Sequence, residues 1–307
     1  MNTPKISVAI CTYNREKYLP QLFQSIKKQT LPESAYEILL IDNNSPGNTH
    51  ALFTHFLKEN PSKLGKYFLE TNQGLSHARN RAIQESNAPL ITFLDDDAFI
   101  DVDYLNVLVN TFENYPEVGA IGGPISLHYE DIIPKWENKY LNSLLGYFNR
   151  GNALHYFSEK DYPRGSNMAF RTLLFEKTGT FDVQLGRIGA NLFGGEEKDL
   201  FNRIYKQKIS VLYQPDAHVF HCVPIERTTF DFIKKQALGT GQSERIRSKA
   251  EGTGSLLKRI FSEGIKWMGS FVLWFSFAFK GQSSKGNMIL FFRYWVSYGL
   301  VINPKKA

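Results

Sequence analysis

A chain of 307 residues, 42% hydrophobic and 21% charged, has apolar material for one large core or two modest ones, which excludes a disordered or fibrous protein. Its formal net charge of +6 is unevenly placed: residues 227–307 carry 14 Lys and Arg against 4 Asp and Glu, a balance of +10, and the remainder stands at −4. Two cysteines, Cys11 and Cys222, lack CxxC spacing, which excludes a disulfide framework and reads as the reduced thiols of a cytosolic protein.

The N-terminus lacks the long apolar stretch of a signal peptide, so secretion is not expected. Ile6–Cys11 predicts a first strand, followed by a helix over about 15–29 with Tyr18, Leu19, Leu22, Phe23 and Ile26 on one face. Glu37–Ile41 predicts a second buried strand, which ends in the dense turn signal of Asp42 to Gly47. A helix over 49–58, a strand at 67–69 and a helix over 76–85 lead to Leu90–Leu94 and then Asp95-Asp96-Asp97. Strands this apolar, each separated by a helix, imply an α/β fold: a mostly parallel central sheet with helices on both faces. Ligands bind beyond the carboxyl ends of such strands. Three polar clusters converge there: Thr12-Tyr13-Asn14-Arg15, Asp42-Asn43-Asn44 and Asp95-Asp96-Asp97.

Residues 118–225 are less regular. They hold a Gly-rich strand over 118–127, a Tyr/Trp-rich stretch over 129–157, and the run Arg164–Phe170. A helix then opens at Glu196-Glu197 after Gly194-Gly195, and a strand near 210–213 leads to His218 and His221. Beyond Thr228 the pattern is helical. Residues 267–279 are uncharged and 287–302 contain only Arg293. Both are shorter than the roughly 20 apolar residues a span requires. They read as in-plane or re-entrant helices, with Trp, Tyr, Lys and Arg suited to lipid headgroups. The alternative is a hairpin packed on the body of the protein or on a second subunit. The chain divides accordingly into 1–225, with halves 1–100 and 101–225, and a basic helical region 226–307. The basic balance suits an anionic partner, either lipid or nucleic acid.

Three adjacent carboxylates at 95–97 repel one another, at a cost of roughly a few kcal/mol unless a cation compensates. A hard divalent ion such as Mg2+ or Mn2+ does so and also grips a diphosphate. An acidic loop at a helix start is the plainer alternative. Asp42 is placed either to accept hydrogen bonds from a base or ribose, or to close an Asx-turn. Arg79 and Asn80 fall in the first turn of a helix with Ser76 as its cap, where a cation and an amide reach an anionic ligand. Glu196 and Glu197 suit a general base of raised pKa, or simply complement a helix N-terminus. His218 and His221 point oppositely in a regular strand, so one is a candidate metal ligand and the other structural. There is no GxGxxG after the first strand and no GxxxxGK[ST] anywhere, which disfavours dinucleotide and P-loop sites.

In this order, ISVAICTYNR, EILLIDNNS, TNQGLSHARNRAI, ITFLDDD, GSNMAFR, GGEEKDLFNRI and PDAHVFH resemble family 2 glycosyltransferases with the GT-A fold, over about residues 5–221. The tail resembles the membrane-proximal helices of bacterial polysaccharide-assembly members, including the cyanobacterial hormogonium-polysaccharide type. The resemblance implies that Thr12, Tyr13 and Arg15 meet the nucleotide. It has Asp42, with Asn44 beside it, hold the base, typically uracil, while Arg79 and Asn80 approach the same nucleotide. Asp95 and Asp96 would lie near the ribose or donor sugar, and Asp97, with Asp95 and His221, on the metal. Gly165, Ser166 and Asn167 would floor the sugar and acceptor pocket. The family's base is usually the Asp of a Glu-Asp pair; here the pair is Glu196-Glu197, and position matching selects Glu197. The implied activity is inverting transfer from a nucleoside diphosphate sugar, typically a UDP-sugar, to a hydroxyl of a glycan or lipid-linked acceptor, with Mn2+ or Mg2+, at the cytoplasmic face of the cell membrane. The alternatives are a catalytically degenerate donor-binding scaffold, a nucleotidyltransferase, and a nucleic-acid-binding module suggested by the basic tail.

Overall fold

The computed structural model describes residues 3–186, 195–250 and 252–302. The chain forms two compact units, Met1–Ser126 with Phe148–Cys222, and Leu127–Tyr147 with Val223–Ala307. A linear division at residue 225 leaves 127–147 with the first unit. These residues instead join the second, because Trp136, Leu141 and Leu145 share a core with Ile233, Met288 and Ile289.

The first half of the chain alternates β1 (Ile6–Thr12), α1 (Leu19–Lys27), β2 (Tyr36–Asp42), α2 (Thr49–Glu59), β3 (Leu64–Leu69), α3 (Leu75–Glu85), β4 (Leu90–Asp95), β5 (Ala98–Ile100) and α4 (Tyr104–Asn114). It continues through β6 (Val118–Gly122), β7 (Ile125–Tyr129), β8 (His155–Tyr156), β9 (Met168–Arg171), α5 (Leu174–Thr178), α6 (Glu196–Lys206), β10 (Ser210–Tyr213) and β11 (Val219–Val223). Among the described residues, eight strands form one sheet in the order β3-β2-β1-β4-β9-β6-β10-β8. β1 pairs in parallel with β2 and β4, and β9 runs antiparallel between β4 and β6. The order reverses at β1, so the crevice for a ligand opens beyond the carboxyl ends of β2, β1 and β4.

Every residue of β2 is buried, as its unbroken apolar run predicts. Its one charged interior residue, Glu37, accepts hydrogen bonds from Ser7 Oγ (2.7 Å) and Asn87 N (2.8 Å), which offsets the cost of burial. α1 begins at Leu19 rather than near residue 15, because Pro20 suits the first turn of a helix and the preceding residues form turns. The Gly-rich run 118–127 breaks into β6 and β7 at Gly123-Pro124. Proline supplies no ladder N–H, and a Cβ on Gly123 would collide with Ala217 O.

The second unit holds α7 (Phe230–Ala250), α8 (Thr253–Phe279) and α9 (Ser283–Val301). α7 and α9 touch backbone to backbone at two glycines: a Cβ on Gly299 would lie 2.6 Å from Leu238 O. No helix among the described residues is long and apolar enough to cross a membrane.

Candidate active site

Parallel register aligns Thr12 with Asp42 and Cys11 with Asp95. Neighbouring strands lie about 4.8 Å apart, so the three polar clusters share one rim. Thr12 Oγ1 donates to Asp96 Oδ2 at 2.8 Å, and Asn14, at φ 54°, turns the first loop so that its N–H reaches Ser45 Oγ at 3.0 Å. Arg15 forms an ion pair with Asp97 and lies 3.4 Å from Asp96. Tyr13 is exposed above them. Asp42 closes the expected Asx-turn through Ser45 N (2.8 Å), and its other oxygen accepts from Tyr67 OH (2.8 Å). Asn44 sits at φ 64° with its side chain exposed, while its neighbour Asn43 is buried. Asn43 bonds the backbone of Glu70, Asn72 and Gly74 and so joins two loops of the rim. The sequence places Asn43 in the polar cluster without showing this linking role, because a turn-forming Asn looks the same whichever residues it bonds.

The centre of the site is Arg79, which is fully buried. Its Nη1 lies 3.1 Å from Glu196 Oε1; its Nη2 lies 3.3 Å from Glu197 Oε1 and 3.9 Å from Asp95 Oδ1. One guanidinium therefore bridges carboxylates from the end of β4 and the start of α6. Gly165 packs so closely here that a Cβ would collide with Glu197 Oε1 and Arg79 Nη2. Other expected residues hold the frame instead. Gly74, not Ser76, caps α3, and Ser76 Oγ donates to Leu185 O at 2.8 Å. Asn80 spends both ends of its amide on the backbone of Phe181, at 2.8 and 2.9 Å. Asn167 bonds Pro124 O, Ala217 O and Tyr104 OH in the interior, and Ser166 is buried beside it. Of the glycine pair before α6, Gly194 lies outside the described residues.

The two glutamates differ in environment. Glu196 is buried and accepts both Gly195 N–H (2.9 Å) and Arg79, so it is held as a brace. Glu197 keeps 23% side-chain exposure. Burial lifts its pKa above the ordinary carboxylate value; Arg79 opposes this and Glu196 adds to it. Burial, with repulsion from Asp97, pushes Asp96 up to about 7. Burial pushes the Cys11 thiol up to about 12, which makes it a poor nucleophile at neutral pH.

β11 pairs antiparallel with β5, with His221 opposite Ala98, and places His221 Nε2 3.4 Å from Asp97 Oδ1. His218 instead bonds Ser126 Oγ at 2.8 Å and stacks on Phe220, which makes it the structural member of the pair. No preassembled group of three His, Cys, Asp or Glu ligands occurs among the described residues. Asp95 pairs with Arg79, while Asp97, itself paired with Arg15, sets a carboxylate oxygen beside the His221 imidazole nitrogen. An adjacent carboxylate oxygen and imidazole nitrogen form a donor set whose chemistry suits a divalent ion.

A mostly parallel sheet with acidic loops at its switch point and a helix-borne glutamate pair defines a transferase of the GT-A class. The chain belongs to glycosyl transferase family 2, whose model it matches over residues 7–179. Over 254 residues it is 27% identical to the glucosyl-dolichyl phosphate glucuronosyltransferase of Haloferax volcanii, covering 79% of this chain and 77% of that protein. Among solved structures it is similar to the mannosyltransferase PcManGT from Pyrobaculum calidifontis in complex with GDP-Man and Mn2+, with TM-score 0.60, 16% identity, and coverage of 98% and 88% of the two chains. It is also similar to Staphylococcus aureus TarS 1–349 in complex with UDP, with TM-score 0.53, 17% identity and 77% of this chain covered. It spans only 65% of that longer structure. At these identities the structural likeness shows the fold. The family sets aside nucleotidyl transfer.

Proposed function

We propose that the protein is an inverting glycosyltransferase that moves a sugar from a uridine diphosphate donor to a hydroxyl of a glycan or lipid-linked acceptor. The observation that carries this reading is the meeting of Asp42, Asp95–Asp97 and Glu197 at one sheet edge, through Thr12 and Arg79. In this reading Asp42 and Tyr13 meet the base and ribose, and Arg15, paired with Asp97 at the acidic loop, meets the diphosphate. Glu197 takes a proton from the acceptor hydroxyl, and Gly165 clears the approach to its carboxylate. Glu196 and Arg79 keep Glu197 in place. A divalent ion, Mn2+ or Mg2+, held by Asp97 and His221 would neutralise charge on the leaving diphosphate. Attack opposite that leaving group in one displacement inverts the anomeric centre. The ligands named for PcManGT and TarS support a nucleoside diphosphate donor, and the Haloferax relative supports a lipid-linked acceptor.

A thermal-shift screen of UDP-, GDP- and dTDP-sugars with Mn2+ tests this. A ligand at a hundred times its Kd stabilises the folded state by about 2.7 kcal/mol. A UDP-sugar is expected to raise Tm and to be hydrolysed slowly without acceptor. Stabilisation by GDP-sugars alone overturns the choice of base, no response to any donor overturns the reading, and binding without hydrolysis or transfer favours the degenerate scaffold.

The second unit is proposed to lie on an anionic membrane surface. α8 is inverted relative to a helix in water. Glu263 is buried against Arg293 (2.7 Å) and Arg259 (3.2 Å), while Leu257, Phe261, Ile265, Met268, Val272, Phe275 and Phe279, three or four residues apart, are 51–91% exposed. Glu263 is the only acid in α8. Cys11 and Cys222 are not joined in a disulfide among the described residues, which supports the cytoplasmic face. The full chain is expected to float with phosphatidylglycerol vesicles at low salt, and the Phe261→Glu/Phe275→Glu variant to stay behind. Wild-type protein that remains in the dense fraction sinks the assignment.

A further inference from the structure

We propose that Arg150 and Arg164 form a subsite for an oxyanion on the acceptor, a phosphate or a carboxylate near the hydroxyl that receives the sugar; this rests on Glu197 being the base. Residues 161–165 are fastened to α6, the helix that opens with Glu196-Glu197. Tyr205 OH donates to Asp161 O at 2.6 Å, and Tyr162 stacks on Phe201 with ring centroids 5.6 Å apart and planes at 21°. Gly165 abuts Glu197, so Arg164 is held one residue from the base.

The Arg164 guanidinium lies over Phe148 and over Tyr162, 4.6 Å from each centroid, and Arg150 lies over the same Phe148 at 4.7 Å. Two cations thus converge on one ring and share one carboxylate, Asp161, through Arg150 Nη2 (3.1 Å) and Arg164 Nη2 (3.5 Å). One positive charge is left over. Each guanidinium has five N–H groups. Among the described residues, the hydrogen bonds to Asp161 and Tyr162 O engage two nitrogens of each side chain, and both side chains remain more than a third exposed. Stacking fixes the planar forks without consuming their remaining donors, which is the geometry that grips a carboxylate or phosphate.

The position also matters electrostatically. A cation beside a general base weakens it, and Arg164 is among the charges that draw the pKa of Glu197 back down. Arg79 already supplies the guanidinium hydrogen-bonded to Glu197, so Arg164 is not needed to hold the base in place, and a second cation near Glu197 works against the chemistry unless it binds something. An anionic acceptor neutralises Arg164 on binding and restores the strength of the base when the hydroxyl is in place.

Calorimetry on the full chain with UDP and Mn2+ present compares methyl glucoside, glucose 1-phosphate and methyl glucuronoside. At least one anionic probe is expected to bind about tenfold tighter than the neutral one, and whichever does so names the source of the oxyanion. Arg150→Gln is expected to lose about tenfold for that probe alone. Equal binding of all three probes, or an equal loss for neutral and anionic probes in the variant, overturns the subsite. If the variant fails to fold, the wild-type comparison still decides. Donor hydrolysis without acceptor is read separately: its absence counts against the transferase reading, and its persistence in Arg150→Gln shows the donor site intact.

Discussion

Glu197→Gln is expected to lower sugar transfer by at least about a hundredfold while donor affinity stays within about twofold, because a positioned general base contributes roughly 10²–10⁴-fold. Glutamine keeps the length of the side chain and an oxygen for Arg79, 3.3 Å away in the native pair, so the loss reports the proton acceptor and not the fold. Single-turnover rates and donor Kd are measured separately; unchanged turnover removes Glu197 from the mechanism. The base acts when ionised, and burial raises its pKa. Transfer should therefore rise with pH through a value above the roughly 4.3 of an ordinary glutamate, and this limb should be missing in the variant. Glu196→Gln should behave differently, because Glu196 is a buried brace bonded to Gly195 N–H and Arg79. Its loss should appear in stability more than in pH dependence.

Arg79→Met is expected to cost about 3–5 kcal/mol, because removing one partner of a buried ionic network leaves the others uncompensated. The buried Glu196, the partly buried Glu197 and Asp95 would then face one another without a cation. Apparent Tm at pH 7 should fall by roughly 10 °C in a unit of this size. The deficit should shrink as pH is lowered, since stranded carboxylates bind protons more readily than paired ones and protonation removes their repulsion. Arg79→Lys should rescue only part of the loss, because an ammonium lacks the planar fork that reaches three carboxylates. A variant with native Tm at pH 7 would show that the network is not under this strain.

The apolar runs of β1, β2 and β4 state their own burial, and the turn residues after them state where each strand stops. Helices of ordinary length between such strands leave a parallel sheet as the natural outcome, so the shared rim of Thr12, Asp42 and Asp95 followed from local pattern alone. The acidic start of α6 was equally legible, since Glu196 and Glu197 stand together after glycine.

Pattern did not reveal the partner of each polar group. Asn80 and Asn167 read from the sequence as ligand contacts, and in the fold their amides bond the backbone of Phe181, Pro124 and Ala217. Arg79 looked like a cation for an anionic ligand and proved to be the counter-charge of Glu196, 117 residues away. Residues 127–147 left the first unit because their apolar faces met a core built from helices a hundred residues further on. Periodicity records which face of an element is buried, and that much the sequence determined by itself. Which side chain meets a given charge depends on contacts between distant segments, and only the tertiary structure decided those.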